Sequence, residues 1–414
     1  MERSLRPDEA EGLRGSGLGR DLTIEAVTPA ELSPDELDLW ASFVAADPRF
    51  SSPYFHPRFT QIAGEVAPGA VVSILHRQGR VVGFFPHQRR RGAAQPIGAP
   101  LNDYHAVITE PGLDIPLEAL PDLIGAASLG VTGWSGPGAE GEGVIARRTL
   151  QADLSDGWAA YDAARRAEWH KYFKDKDRAR RSLERDHGEV TARIDGRDPA
   201  LLERLIGLKS DQYRRSRLHD IFACGWTADL LRALLADTAV EGFGARLAVL
   251  EAGGEPVAFE YGLHAGGHYH FWLPAYEASV ARYSPGILLS LETMRQGSAE
   301  GFKVFDYGFE GEAYKKYFCN RSQTVLEGVA QRRGYAGAMA AAFSMAGVDA
   351  ALAAGERLAG AGLGLSVRRR WASIDACETT VVGRARGIAA AAGAALNKAR
   401  PQSAVSALGA LLFL

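Results

Sequence analysis

Apolar and polar positions along the chain repeat with two periods, and the switches between them mark out its elements. Residues 22–26 read as a short strand, and residues 35–45 as a helix with Leu37, Trp40 and Val44 on one side. Residues 71–76 and 81–86 are strand-like runs joined through Arg77-Gln78-Gly79-Arg80, a hairpin signal. A helix is expected over 117–129, and a long charged helix over 153–187. Residues 199–216 carry Leu202, Leu205, Ile206 and Leu208 at helical spacing, and 227–235 form a further helix. Three strands then run in meander order over 245–251, 256–264 and 267–273, turned at Gly253-Gly254 and Gly266-Gly267. A helix opens after Ser284, and strands follow at 304–308 and 324–330. Such a mixture of periods predicts an α/β (α+β) chain.

The stretch 269–318 concentrates the chemistry. Ser284-Pro285-Gly286 has the grammar of a helix start: a small polar cap, a proline in the first turn, and a glycine that leaves the backbone open to a ligand. A helix N-terminus facing out between two neighbouring strands suits an anion, because its N–H groups and positive dipole end point at the ligand. A cofactor carrying a pyrophosphate would fit there. The alternative is a plain helix cap. Beyond the next strand, Glu310, Glu312, Tyr314 and Lys315 crowd one loop, either as reacting groups or as a solvated, salt-bridged helix start.

These pieces resemble the GNAT acyltransferase core, in the variant called the BioF2-like or CelD-like acetyltransferase domain, a relative of the FemABX peptidyltransferases. The residues that carry the resemblance are Trp272-Leu273-Pro274-Ala275-Tyr276-Glu277, Ser284-Pro285-Gly286, Asp306-Tyr307-Gly308 and Glu312-Ala313-Tyr314-Lys315. Upstream, Pro100 to His105 is similar to the family's PLSDYH loop, and Lys209 to Arg214 to its K-x-x-QYR helix. The resemblance implies tandem GNAT-like domains with mixed, mostly antiparallel sheets. It implies acetyl-CoA as acyl donor, held by Trp272, Tyr276, Tyr283, Ser284, Pro285, Gly286 and Ile287. Catalysis would fall to Asp306 or Glu312 as base, Tyr314 as proton donor to the thiolate, Lys315 at the oxyanion, and His105 as a further base. Asp103, Tyr104, Lys209, Tyr213, Arg214 and Glu310 would line the acceptor, in a cleft between lobes. The implied acceptor is an amino sugar or lipid-linked glycan precursor in exopolysaccharide or envelope polysaccharide synthesis. A FemABX-like transfer from aminoacyl-tRNA is the rival, although the 153–187 helix mixes cations with acids and no nucleic-acid polymer is expected as partner. A non-catalytic sensor using the C-terminal tail is a second rival.

Composition adds compartment and domain layout. At 414 residues, 46% hydrophobic and 23% charged, the chain is long enough for two cores. The expected division is a tail at 1–20, a degenerate GNAT-like domain with a linking helix at 21–188, a catalytic GNAT domain at 189–334, and a helical Ala/Gly-rich extension at 335–414. From Gln331 onward ten Lys/Arg face four Asp/Glu, a net +6, which leaves −9 of the overall −3 on the remainder. A basic tail on an acidic body suggests a separate partner, and Arg368, Arg369, Arg370 and Trp371 suit an anionic lipid or a cyclic dinucleotide. The apolar C-terminus favours a peripheral membrane contact. Residues 1–20 lack an apolar stretch and do not read as a signal peptide. Cys224, Cys319 and Cys377 show neither metal spacing nor a disulfide framework, which points to a reducing cytosol. His264, His268 and His270 sit around a turn, but no carboxylate or cysteine completes a set, so no metal is expected.

Overall fold

The computed structural model describes residues 22–332 and 369–387, apart from 91, 142, 217, 371, 381, 382, 385 and 386. The expected tail at 1–20, the helices of the Ala/Gly-rich extension, Arg368, Trp371 and the apolar C-terminus lie outside the described residues. The mixed α/β class and the mostly antiparallel sheets expected from the sequence are present. The described residues divide into two compact units, one comprising 22–147, 216–230, 324–332 and 369–387, the other 148–215 and 231–323.

In the first unit the strands are β1 (Leu22–Val27), β2 (Ala70–Arg77), β3 (Arg80–Arg90), β4 (Ala93–Pro96), β5 (Ile108–Thr109) and β6 (Ser128–Trp134). They run in the order β1-β2-β3-β4-β6, with β5 on β3. Every neighbour pair is antiparallel except β4 and β6, which are parallel at Ala93↔Ser128 and Ala94↔Leu129. The helix expected over 117–129 stops early. It spans Leu120–Ile124, because Gly125 turns left-handed at φ 67 and the chain re-enters the sheet at Ser128. Phe85, Leu117, Leu120, Leu129 and Trp134 close the core beneath the sheet, each almost fully buried.

In the second unit, β7 (Val144–Asp153), which begins in the first, is followed by β8 (Val190–Gly196), β9 (Phe243–Ala252), β10 (Glu255–Ala265), β11 (His268–Tyr276) and β12 (Val304–Phe309). Their order is β7-β12-β11-β10-β9-β8, with β11 and β12 parallel and the rest antiparallel. The single helix expected over 153–187 is two helices, Trp158–Glu168 and His170–His187. Trp169 leaves the helical region at φ −122, ψ 41, so the second helix sets off in a new direction. A last strand, β13 (Arg321–Gln331), leaves this unit and pairs with β6 in the first.

The cysteines depart from the sequence reading. Cys224 and Cys377 are 153 residues apart, yet they form a disulfide with Cα atoms 6.2 Å apart. A pairing that distant leaves no spacing signature. Cys319 is free, and burial pushes its thiol up to about 12. Among the described residues no helix is long and apolar enough to cross a membrane.

Candidate active site

The site of the second unit is built where β11 and β12 part. The two strands pair in parallel only at His268↔Val304, Tyr269↔Phe305 and His270↔Asp306, although β11 continues to Tyr276 and β12 to Phe309. Beyond His270 the edge of β11 facing β12 is released from the ladder. Such backbone N–H and C=O groups need other partners, and an extended ligand with amides of its own can supply them. β11 then leads through a 3-10 turn, Ala278–Tyr283, to the helix Pro285–Ala299.

That helix start is open. Ser284 sits at the cap position but at φ 54, ψ 50, a left-handed conformation that costs a non-glycine residue about 1–2 kcal/mol. Its side chain therefore makes no capping bond. Its Oγ instead accepts from Lys176 Nζ at 2.9 Å. Ile287 N and Leu288 N turn back to Ser284 O at 3.0 and 3.2 Å. Among the described residues the Gly286 N–H has no backbone partner, and a Cβ placed on Gly286 would meet only Tyr276 Cδ1, at 3.7 Å. Ser284, Gly286, Ile287 and Tyr276 are half-buried, whereas Pro285 and Trp272 are buried. Tyr283 turns away, packing in the core with its hydroxyl donating to Asp186 Oδ2 at 2.6 Å. Lys176, on the His170–His187 helix, carries no signal in the sequence that points to the Ser284 corner. Its ammonium lies 5.1 Å from the Tyr172 ring centroid, and desolvation lowers its pKa. It brings a cation to a helix end already suited to an anion.

The loop after β12 gathers the remaining candidates of this unit. Lys315 Nζ donates to Phe309 O at 2.6 Å and pairs with Glu312 Oε2 at 2.7 Å, its side chain only 8% exposed. Burial pushes Lys209 down to about 8, with Glu312 pulling the other way, so these two residues from distant parts of the sequence share one field. Lys209 also lies 5.6 Å from the Tyr213 ring centroid. Arg214 is exposed and pairs with Asp211, and Glu310 lies 3.8 Å from Arg148. Burial raises the Tyr314 phenol, as do Glu312 and Glu260, so it stays protonated. Tyr314 and Ile287 pack against the same aromatic cluster, around Phe271, Phe305, Tyr307 and Phe318. That cluster links the helix start to the loop.

Two buried acids of this unit behave oppositely. Glu260 on β10 is fully enclosed, and desolvation raises its pKa well above the ordinary value despite a 3.4 Å bond from the Tyr269 hydroxyl. Burial thus favours its protonated form. Nothing local in the sequence singles it out. Burial also works to raise Asp306, but His268, His270 and the Gln151 amide more than offset that and hold the carboxyl well below its usual range. Gln151 Nε2 donates to Asp306 Oδ2 at 2.9 Å and Gly308 N to Oδ1 at 2.7 Å, while His268 Nε2 and His270 Nδ1 stand 3.4 and 3.7 Å from its oxygens. The carboxylate missing from the histidine set in sequence is thus supplied by the neighbouring strand.

The other predicted residues belong to the first unit. His105 Nε2 lies within 3.1–3.3 Å of Thr132 Oγ1, Thr132 N and Gly133 N, and burial pushes its pKa down to about 3. Tyr104 is buried, its N–H bonded to Asn102 Oδ1 at 2.9 Å, and Asp103 is half-buried with its charge felt by Arg147. Arg369 forks both oxygens of Glu327 at 2.7 and 2.9 Å, and Arg370 follows on the same helical stretch. The Arg369 guanidinium is committed within the protein.

A family model described as an acetyltransferase (GNAT) domain matches residues 170–316. No curated protein matches the chain. Among solved structures, it is similar to the C-terminal domain of an Agrobacterium fabrum protein assigned as a lysylphosphatidylglycerol synthetase, at 13% identity, TM-score 0.44, covering 74% of this chain and 94% of that one. FemX is similar at 11% identity and TM-score 0.44, covering 74% and 96%. A tandem GNAT protein from the clavulanic acid biosynthesis pathway is similar at 13% identity and TM-score 0.42, covering 76% and 100%.

Proposed function

We propose that the second unit is an N-acyltransferase that moves an acyl group, acetyl in the simplest case, from coenzyme A to an amine. The observation that carries this reading is the released edge of β11 running into the open helix start at Gly286, with Lys176 beside it. The pantetheine amides would take the edge of β11, and the pyrophosphate the Gly286 end of the helix, which leaves the thioester toward Tyr314.

The amine attacks the thioester carbonyl directly. Glu312 accepts the amine's proton, Lys315 places positive charge near the developing oxyanion, and neutral Tyr314 gives its proton to the departing thiolate. Asp306 is a poor base, because the groups around it hold it ionised, so it orients the strand. Lys209, charged at neutral pH but with little to spare, suits an anionic group on the acceptor, and a glycan precursor carrying an amino sugar and a phosphate matches that demand. Residues 1–20 and 335–414 are outside this reading.

The test is a thermal shift with acetyl-CoA on the full chain and on Gly286→Asp. A ligand that binds only the folded state raises the melting temperature by mass action, about 2.7 kcal/mol at a hundredfold excess over Kd. The parent should shift and the variant should not. No shift in the parent at millimolar ligand sinks the acyl-CoA assignment. Thiol release with amino-sugar phosphates against plain amines then checks the acceptor.

A further inference from the structure

The first unit holds a cluster that the acyl-transfer reading does not use. His219, Cys377 and Glu378 present donor atoms that all lie within 4.8 Å of one another. Cys224 joins them through its bond to Cys377. His219 Nε2 is buried, makes no hydrogen bond, and stands 3.2 Å from Glu378 Oε1. Both side chains are only 12% exposed, and Cys377 is fully buried. A buried imidazole nitrogen facing a carboxylate oxygen without a hydrogen bond is an unfilled pair of lone pairs. Two ligands each about 2.0 Å from one tetrahedral zinc are themselves about 3.3 Å apart, which matches that separation. Two sulfurs, one imidazole and one carboxylate form a complete donor set for zinc, with soft thiolates excluding magnesium and calcium.

We propose that, once the Cys224–Cys377 disulfide is reduced, Cys224, Cys377, His219 and Glu378 bind one zinc ion. Two thiols of an external reductant give two electrons to the disulfide and become a disulfide themselves, leaving two cysteine thiols. Zinc then displaces their two protons, and both thiolates become ligands. The same two sulfurs cannot hold the ion while bonded to each other, so oxidation releases it. The site ties the turn at Ile221–Cys224 to the helical stretch ending at Cys377, close to where Trp226 Nε1, just past the turn, donates to Cys377 O at 3.1 Å. Zinc and disulfide are therefore alternative clamps on one joint.

The test uses the full chain, reduced with a phosphine and freed of metal, then titrated with zinc against a chromophoric chelator and separately with cobalt(II). The reduced parent should take up one zinc per chain, and its cobalt form should show the visible bands of a tetrahedral site with thiolate charge-transfer absorption. The oxidised parent should take up none. Cys377→Ser and His219→Ala should each weaken binding at least tenfold, with Cys377→Ser also cutting thiolate charge transfer to about half, the share left to Cys224. Glu378→Gln, which keeps the side chain's size, guards against misfolding and should also weaken binding. Cys319→Ser, in the other unit, should bind as the parent does. A reduced parent that takes up no zinc, or variants that bind as tightly as the parent, overturns the proposal.

Discussion

Among the described strand pairs, each unit has one parallel pair, β4–β6 in the first and β11–β12 in the second, and the two pairs have opposite fates. In the first unit, β4 and β6 pair at two positions, and the chain leaving β4 is closed in. Ile97, Gly98 and Ala99 are buried, Gly98 N is held by Gln88 Oε1 at 3.0 Å, and Asn102 Nδ2 bonds Ile97 O at 3.0 Å. In the second unit, β11 and β12 part after three positions, and the chain leaving β11 arrives at a half-buried Ser284 and Gly286. One junction satisfies its backbone with its own side chains. The other leaves that work to something else. In the first unit Gln88 and Asn102 are the residues that close the junction.

The largest effect should come from exchanging the two glycines. Gly286→Asp should abolish the acetyl-CoA thermal shift, because it sets a carboxylate where the phosphates would lie. Gly98→Asp should leave the shift intact. It should nonetheless lower stability by about 1–3 kcal/mol, because Gly98 lies at φ +79 and a Cβ there meets Phe59 Cζ at 3.2 Å. Chemical denaturation and ligand titration separate the two outcomes. If Gly98→Asp also abolished the shift, the contrast between the junctions would fail.

Next in size is the acid response of the closed unit. His105 is pushed down to about 3 and His87 to about 4, chiefly by burial. Both are neutral when folded but protonate near 6.5 when unfolded. Stability is therefore complete above pH 6.5 and is lost as pH falls toward 4 and 3, by up to about 1.4 kcal/mol per pH unit for each histidine. Urea melts between pH 7 and 5 should show this slope. His105→Gln should flatten it by about half, and an unchanged slope would remove His105 from the account.

Smaller still, Lys176→Met should weaken acetyl-CoA binding about tenfold, the worth of one partly screened phosphate contact, without altering the melt of the free protein much. Isothermal titration reads this directly. The smallest effect belongs to Glu260→Gln. The folded protein keeps Glu260 protonated above 4.5, whereas the unfolded chain ionises there, so the acid costs stability as pH rises above 4.5. The variant should gain a few degrees in melting temperature at pH 8 and nothing near pH 4.5.

Legibility in the sequence followed locality. The meander of β9, β10 and β11 was readable because its apolar runs end at paired glycines, and the helix at Pro285 because its start signals are adjacent. β7 was missed because its alternation is broken by Arg147-Arg148 and Gln151, and β8 because Val190 and Ile194 are its only large apolar residues. The site was legible only where its residues sit together. Lys176 meets Ser284 across 108 residues, and Gln151 meets Asp306 across 155. Neither meeting leaves a spacing to read.

One consequence follows from the backbone of Ser284. Replacing it by glycine would relax a left-handed residue and make the isolated protein sturdier by about 1 kcal/mol. It would also strip the ammonium of Lys176 of the hydroxyl that aims it. A chain optimised for endurance alone would carry glycine at this corner. Under the proposed function, the serine would exchange about 1 kcal/mol of stability for the placement of a single charge.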